Sequence, residues 1–296
     1  MKTTITTIER RYSDTCFREG DVVLDITASG RFARTSLLKR TDLIFYKDEK
    51  TAQLHTQEAE KEADEYDMLE ALITLLAPAK RIITYNGHAF DLPHLRKKYS
   101  LYGLADPFVS KDYLDLFMAL KPYVPMLALP SRKLRDAAAF LSLGASLCDA
   151  AVTMELTSLL SYAGVLQGEC SIADVRADGE RLIYKLLSPH CFPKELSAHD
   201  ACFHLRFCAD RAVLISARIE GGTLRFYHTD IANYEYLPAE GFAVHKSAAM
   251  FVDKSRREKA TRETCFHRVK FTEAFLTDAN TQEAYLSSVL AYLRTM

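Results

Sequence analysis

Apolar and polar positions alternate along the first half of the chain in short blocks. Residues 3–8 predict a short edge strand, and residues 21–27 an apolar, buried one. Residues 41–47 and 51–56 are two further β-like runs, with Asp48, Glu49 and Lys50 suited to a hairpin turn between them. Residues 58–77 are acidic at the start and apolar at Met68, Leu69, Leu72, Ile73, Leu75 and Leu76, which predicts an amphipathic helix stopped by Pro78. Residues 82–85 predict a strand, broken by Asn86 and Gly87, and a helix follows over about 92–102 with Pro93 in its first turn. Another strand is expected within 108–121, a helix with a basic start over 131–142, and a helix opened by Asp149 that reaches Ser161 and Tyr162.

The second half reads differently. Residues 163–170, with Gly164 and Gly168, look like a linker. Alternating runs at 181–187, 201–208, 212–218 and 223–228 predict a small sheet, with Gly221 and Gly222 as a hairpin turn between the last two. Residues 245–262 are a helix candidate carrying Lys246, Lys254, Arg256, Arg257, Lys259 and Arg262. Residues 281–293 read as a closing amphipathic helix. The chain is therefore expected to be an α/β protein with a first domain over 1–165 and a smaller α+β domain over 166–296.

Three acids interrupt this patterning. Asp25 sits in the apolar middle of a strand, where an unpaired charge is costly; it faces a cleft, binds a cation or is neutralised by a partner. Asp91 follows a buried strand, which is where α/β proteins place chemistry, although capping the next helix is the bland reading. Asp149 opens a helix. Carboxylates from separate elements suit hard cations such as Mg²⁺ or Mn²⁺ if the fold brings them together. Two such ions about 3.5–4 Å apart activate a water and stabilise the leaving oxygen of a phosphodiester.

The motifs around these acids resemble those of bacterial ribonuclease H-like proteins related to the DEDD family of 3′–5′ exonucleases. That family's first motif, Asp-Ile-Glu-Thr-Thr-Gly, stands here as Asp25-Ile26-Thr27-Ala28-Ser29-Gly30. Its second is closely matched by Tyr85-Asn86-Gly87-His88-Ala89-Phe90-Asp91-Leu92-Pro93-His94-Leu95, and Asp115-Leu116-Phe117 matches an Asp-Leu-Tyr segment. Leu160-Ser161-Tyr162 is intact and aligns Asp149 with the third-motif aspartate. Further on, Tyr234-Glu235-Tyr236-Leu237-Pro238 and His245-Lys246-Ser247 are also similar to related chains. The resemblance implies a ribonuclease H-like mixed sheet flanked by helices. It implies Asp25, Asp91 and Asp149 as catalytic metal ligands for Mg²⁺ or Mn²⁺. Asn86, Thr27 and Asp115 would lie beside the substrate, with single-stranded nucleic acid as partner.

Two departures matter. Thr27 stands where the family has the glutamate that completes the metal site, and Ala145 where it has a Tyr or His general base. A hydroxyl supplies no charge and a methyl orients no water. The expected activity is therefore an impaired nuclease or, alternatively, a non-catalytic nucleic-acid-binding or scaffold protein.

Composition narrows the partners. The net charge of −1 excludes broad electrostatic wrapping of nucleic acid, so any contact comes from a local patch. Lys254 and Arg257 lie in the clearest basic cluster, which reads either as a phosphate contact or as a solvated surface. The seven cysteines are scattered without a CxxC pair, as expected of reduced thiols in the cytoplasm. His190, Cys191, His199, Cys202, His204 and Cys208 lack zinc-site spacing and read as strand residues. No signal-peptide pattern and no membrane-length apolar run is present.

Overall fold

The computed structural model describes residues 1–12, 15–29, 36–61 and 63–294. It divides into two compact units. One comprises Met1–Val124 and Ala128–Leu160; the other comprises Pro125–Leu127 and Ser161–Met296. Gly30, the last residue of the first motif, lies outside the described residues.

The first unit is built on a six-stranded mixed sheet. Its strands are β1 (Lys2–Glu9), β2 (Asp21–Ala28), β3 (Leu38–Tyr46), β4 (Thr51–Glu58), β5 (Arg81–Thr84) and β6 (Asp112–Asp115), in the order β1-β4-β3-β2-β5-β6. β1 to β4 pair antiparallel, whereas β5 runs parallel to β2 and β6 parallel to β5. The helices are α1 (Asp64–Leu76), α2 (Asp91–Tyr102), α3 (Leu116–Ala119), α4 (Leu134–Phe140) and α5 (Asp149–Leu156). This is the ribonuclease H-like mixed sheet flanked by helices, with β1 added at the edge.

Strand alternation fixes which side chains reach the core. Val22, Leu24 and Ile26 of β2 pack with Met68, Leu69 and Leu72 of α1 and Leu95 and Tyr99 of α2. The intervening Asp25 and Thr27 therefore point to the other face. Beneath α1 the core also holds an ion pair: Lys98 Nζ lies 2.9 Å from Glu65, and both residues are buried. Glu65 also accepts from the Leu38 amide and the Tyr102 hydroxyl, each at 2.7 Å. Burial pushes its carboxyl up, but these donors hold it below its ordinary value.

In the second unit α6 (Leu160–Leu166) leads into an antiparallel sheet of β7 (Ser171–Asp178), β8 (Arg181–Leu187), β9 (Leu196–His199), β10 (Phe203–Phe207) and β11 (Ala212–Arg218), ordered β7-β8-β11-β10-β9. β12 (Thr223–Tyr227) pairs with β16 (Phe266–Lys270), and β13 (Tyr234–Leu237) pairs with both β14 (Phe242–His245) and β15 (Glu258–Lys259). The remaining helices are α7 (Lys246–Ala249) and α8 (Ala279–Leu293). α8 buries Tyr285 and Tyr292 against the rings of Tyr184 and Tyr227.

Four expectations change here. Residues 163–166 are buried helix rather than linker. β7, missed in the sequence, is an exposed polar strand. Gly221 and Gly222, at φ 55° and 72°, do form a tight turn, yet β11 and β12 leave it for different sheets. The basic helix of 245–262 stops at Ala249, because Asp253 accepts from the Ser255 amide and starts a separate 3₁₀ turn, Lys254–Arg256.

Candidate active site

Register places the first carboxylate. Val23 of β2 lies level with Ile83 of β5, so Asp25, two residues on, lies past Thr84, the last residue of β5. This is the carboxyl end of the parallel strands, where open α/β sheets bind ligands. Across the antiparallel pair, Asp25 faces Asp42 of β3 and Thr27 faces Arg40.

The turn after β5 brings in the second. Asn86 adopts φ 64°, a left-handed conformation that Asn tolerates better than most residues. Its amide donates to Asp115 Oδ1 at 2.8 Å, and the His88 amide to Asp115 Oδ2 at 3.1 Å. Asp115 also accepts from the Phe117 amide at 3.0 Å. Gly87 fits because a Cβ there would lie 2.5 Å from Thr84 Cβ. The close match of the second motif is therefore, in large part, a demand of the backbone. Asp115, buried and holding three amides, clamps this turn.

The clamp delivers Asp91 as the first residue of α2, with Phe90 at the cap position and no side-chain cap bond. Asp91 is thus not occupied with capping. It is only 7% exposed, and neither it nor Asp25 has a hydrogen-bond or ion-pair partner among the described residues. Burial raises the Asp91 carboxyl most, and the charges of Asp25 and Asp115 add to it, pushing it up to about 7. Burial likewise dominates at Asp25, followed by the charges of Asp149 and Asp42 and opposed by Arg40; it too is pushed up to about 7.

Asp149 is the exposed first residue of α5, close enough for its charge to act on Asp25. Sequence reasoning missed several neighbours. Arg40 grips Asp42 through two bonds of 2.8 and 3.0 Å and reaches Glu58 at 3.0 Å, while the Thr56 hydroxyl donates to Asp42 at 2.6 Å. Cys148 lies in the same field: burial pushes its thiol up, and Asp42 and Asp25 add to the effect. The signal for Asp42 was its parity on β3, but only the hairpin register shows that it faces Asp25.

Other candidate residues are placed as follows. Thr27 and Ala145 are exposed. Arg132, at the basic start of α4, lies with its guanidinium 4.2 Å from the centre of the Phe117 ring, and its carbonyl accepts from the Tyr85 hydroxyl at 2.6 Å. Lys254 and Arg257 belong to the second unit. Lys254 is exposed, whereas Arg257 is engaged with Glu235 at 2.7 Å.

The donors fit a hard divalent cation in kind, since one buried and one half-buried carboxylate lack any other partner. In number they fall short: among the described residues no three His, Cys, Asp or Glu side chains converge closely enough to hold a metal ion.

Residues 23–150, a span that includes all three aspartates, match the model of the RNase_H superfamily. Among solved structures, Escherichia coli exonuclease I in complex with a dT13 oligonucleotide aligns over 93% of this chain and 71% of its own, at 10% identity and a TM-score of 0.42. A product-bound exonuclease I aligns over 93% and 70%, at 10% identity and a TM-score of 0.40. An exonuclease I/SSB-Ct complex aligns over 92% and 73%, at 9% identity and a TM-score of 0.40. No curated protein matches the chain. Among the described residues no helix is long and apolar enough to cross a membrane.

Proposed function

We propose, from the ribonuclease H-like domain that residues 23–150 form, that the protein binds single-stranded nucleic acid and hydrolyses it slowly, as a weakened metal-dependent 3′–5′ exonuclease. The observation that carries this reading is the pair Asp25 and Asp91: buried or half-buried carboxylates without partners, each raised to about 7, at the carboxyl ends of parallel strands. Such groups are expensive unless a cation joins them.

Asp25 and Asp91 would hold Mg²⁺ or Mn²⁺, with Asp149 as the third and more exposed ligand. When bound, the ion supplies charge to a phosphate oxygen and an acidic water. The protein's own part is positional. Asp115 fixes the turn that presents Asp91, and Arg40 pairs with Asp42 and so offsets the charge that Asp42 sets against an ionised Asp25. Thr27 beside Arg40 leaves no carboxylate to bridge a second ion, and Ala145 offers no base. Losing a base alone removes about 10²–10⁴-fold in rate.

The test is cleavage of an end-labelled single strand in Mn²⁺ by the wild type and Asp91→Asn. Slow shortening from the 3′ end, abolished in the variant, is expected. Binding without any Asp91-dependent cleavage would instead select the non-catalytic reading, which Thr27 and Ala145 favour.

A further inference from the structure

The second unit carries an exposed apolar tip inside a basic stretch. Phe251 is 85% exposed and Met250 66% exposed, and they follow the end of α7. Isolated exposed apolar residues are ordinary, but two adjacent ones at a loop tip, one of them an aromatic ring, are not required by packing.

The charge around them is unusual for this chain. Residues 245–259 contain five cations (Lys246, Lys254, Arg256, Arg257 and Lys259) against two acids (Asp253 and Glu258), in a protein of net charge −1. Ion pairs divide these cations. Arg257 bonds Glu235 at 2.7 Å and Arg256 bonds Glu240 at 2.9 Å, which ties the stretch to β13 and to the turn after it. Lys246, Lys254 and Lys259 are exposed, with no ion pair among the described residues. Asp253 accepts from the Ser255 amide and hydroxyl, which shapes the turn that presents Lys254.

We infer that this tip is a contact for single-stranded nucleic acid, with Phe251 stacking on a base and Lys246 and Lys254 meeting the flanking phosphates. An exposed ring between cations is the arrangement that serves unpaired strands, because every base has a face to stack and every phosphate a charge to neutralise. The inference rests on the nucleic-acid reading above but uses none of the carboxylate site. In this reading Lys254 is the strand contact, while Arg257, paired with Glu235, ties the stretch to β13.

The test measures anisotropy of a fluorescent single-stranded 12-mer with the full chain in excess chelator, which silences the metal site. Phe251→Ala and Lys254→Glu each weaken binding about tenfold, within the range for one stacked base or one reversed phosphate contact. Phe251→Trp keeps it. Both positions are exposed, so folding is checked by an unchanged melting temperature. Unchanged affinity in Phe251→Ala overturns the inference, as does a wild type that does not bind. Binding to phosphatidylserine vesicles that is lost in Phe251→Ala while strand binding stays intact assigns the tip to membranes and also overturns it. Asp91→Asn alters the carboxylate site and leaves the tip intact. Loss of its Mn²⁺-dependent cleavage judges the nuclease reading separately.

Discussion

Replacing Asp91 by Asn removes a charge that the fold accommodates poorly when no cation is bound. The ordinary carboxyl value of 3.8 rises to about 7 in the folded chain. At 1.36 kcal/mol per pH unit this amounts to about 4 kcal/mol of disfavour once the group is ionised in both states. Water reaching the site screens part of this, so the expected effect is about 2 kcal/mol. The sign follows from proton uptake. Well below pH 4 the carboxyl is protonated whether folded or unfolded, and Asn changes nothing. Between pH 4 and 7 the folded state holds a proton that the unfolded chain has lost, so wild-type stability falls as pH rises. Above pH 7 the full penalty applies.

Chelator-treated Asp91→Asn is therefore nearly as stable as the wild type at pH 4 and melts about 4–8 °C higher at pH 8. Mn²⁺ at a hundredfold excess over its dissociation constant returns about 2.7 kcal/mol to the wild type and nothing to the variant. Thermal denaturation followed by circular dichroism, from pH 4 to 8 with and without Mn²⁺, measures both effects. A variant that melts lower than the wild type at pH 8 in chelator would refute the claim that this carboxylate lacks a partner.

Three other substitutions test the scaffold. Gly87→Ala drives a Cβ into Thr84 and costs about 1–3 kcal/mol in urea unfolding, and the added Thr84→Ala recovers part of it. Asp115→Ala strands the amides of Asn86, His88 and Phe117; it costs about 3 kcal/mol and speeds hydrogen exchange at Asn86 and His88 more than elsewhere. Lys98→Met leaves Glu65 buried without its cation and costs about 3–5 kcal/mol near pH 7. Because the native partners hold the Glu65 carboxyl low, its contribution is present above the unfolded value and is lost as pH falls through the folded one; the variant loses this acid-side dependence.

Elements whose apolar residues face a core were legible in the sequence. β2, β5, α2 and α8 fall within a residue or two of expectation, because burial writes a period into the chain. β7 left no such trace: its side chains are largely exposed, and only backbone pairing to β8 makes it a strand. Gly164 read as a break, but it sits inside α6, whose buried neighbours Tyr162, Val165 and Leu166 outweigh the helix cost of one glycine. Asp25 and Asp91 stood out as charges in apolar settings. Asp42 and Arg40 did not, because their relation to Asp25 exists only through the β2–β3 register. Asp115 was legible as an acid near the site, but its service to three amides was not.

The carboxylates ride on β2, the start of α2 and the start of α5, so 124 residues of chain separate Asp25 from Asp149. During synthesis the first two can meet only after β5 and its following turn have emerged, and the third arrives with α5 later still. Short peptides and truncated products ending before Asp149 would carry the sheet without the complete acid set. The three acids therefore share one pocket only in a chain long enough to have completed α5.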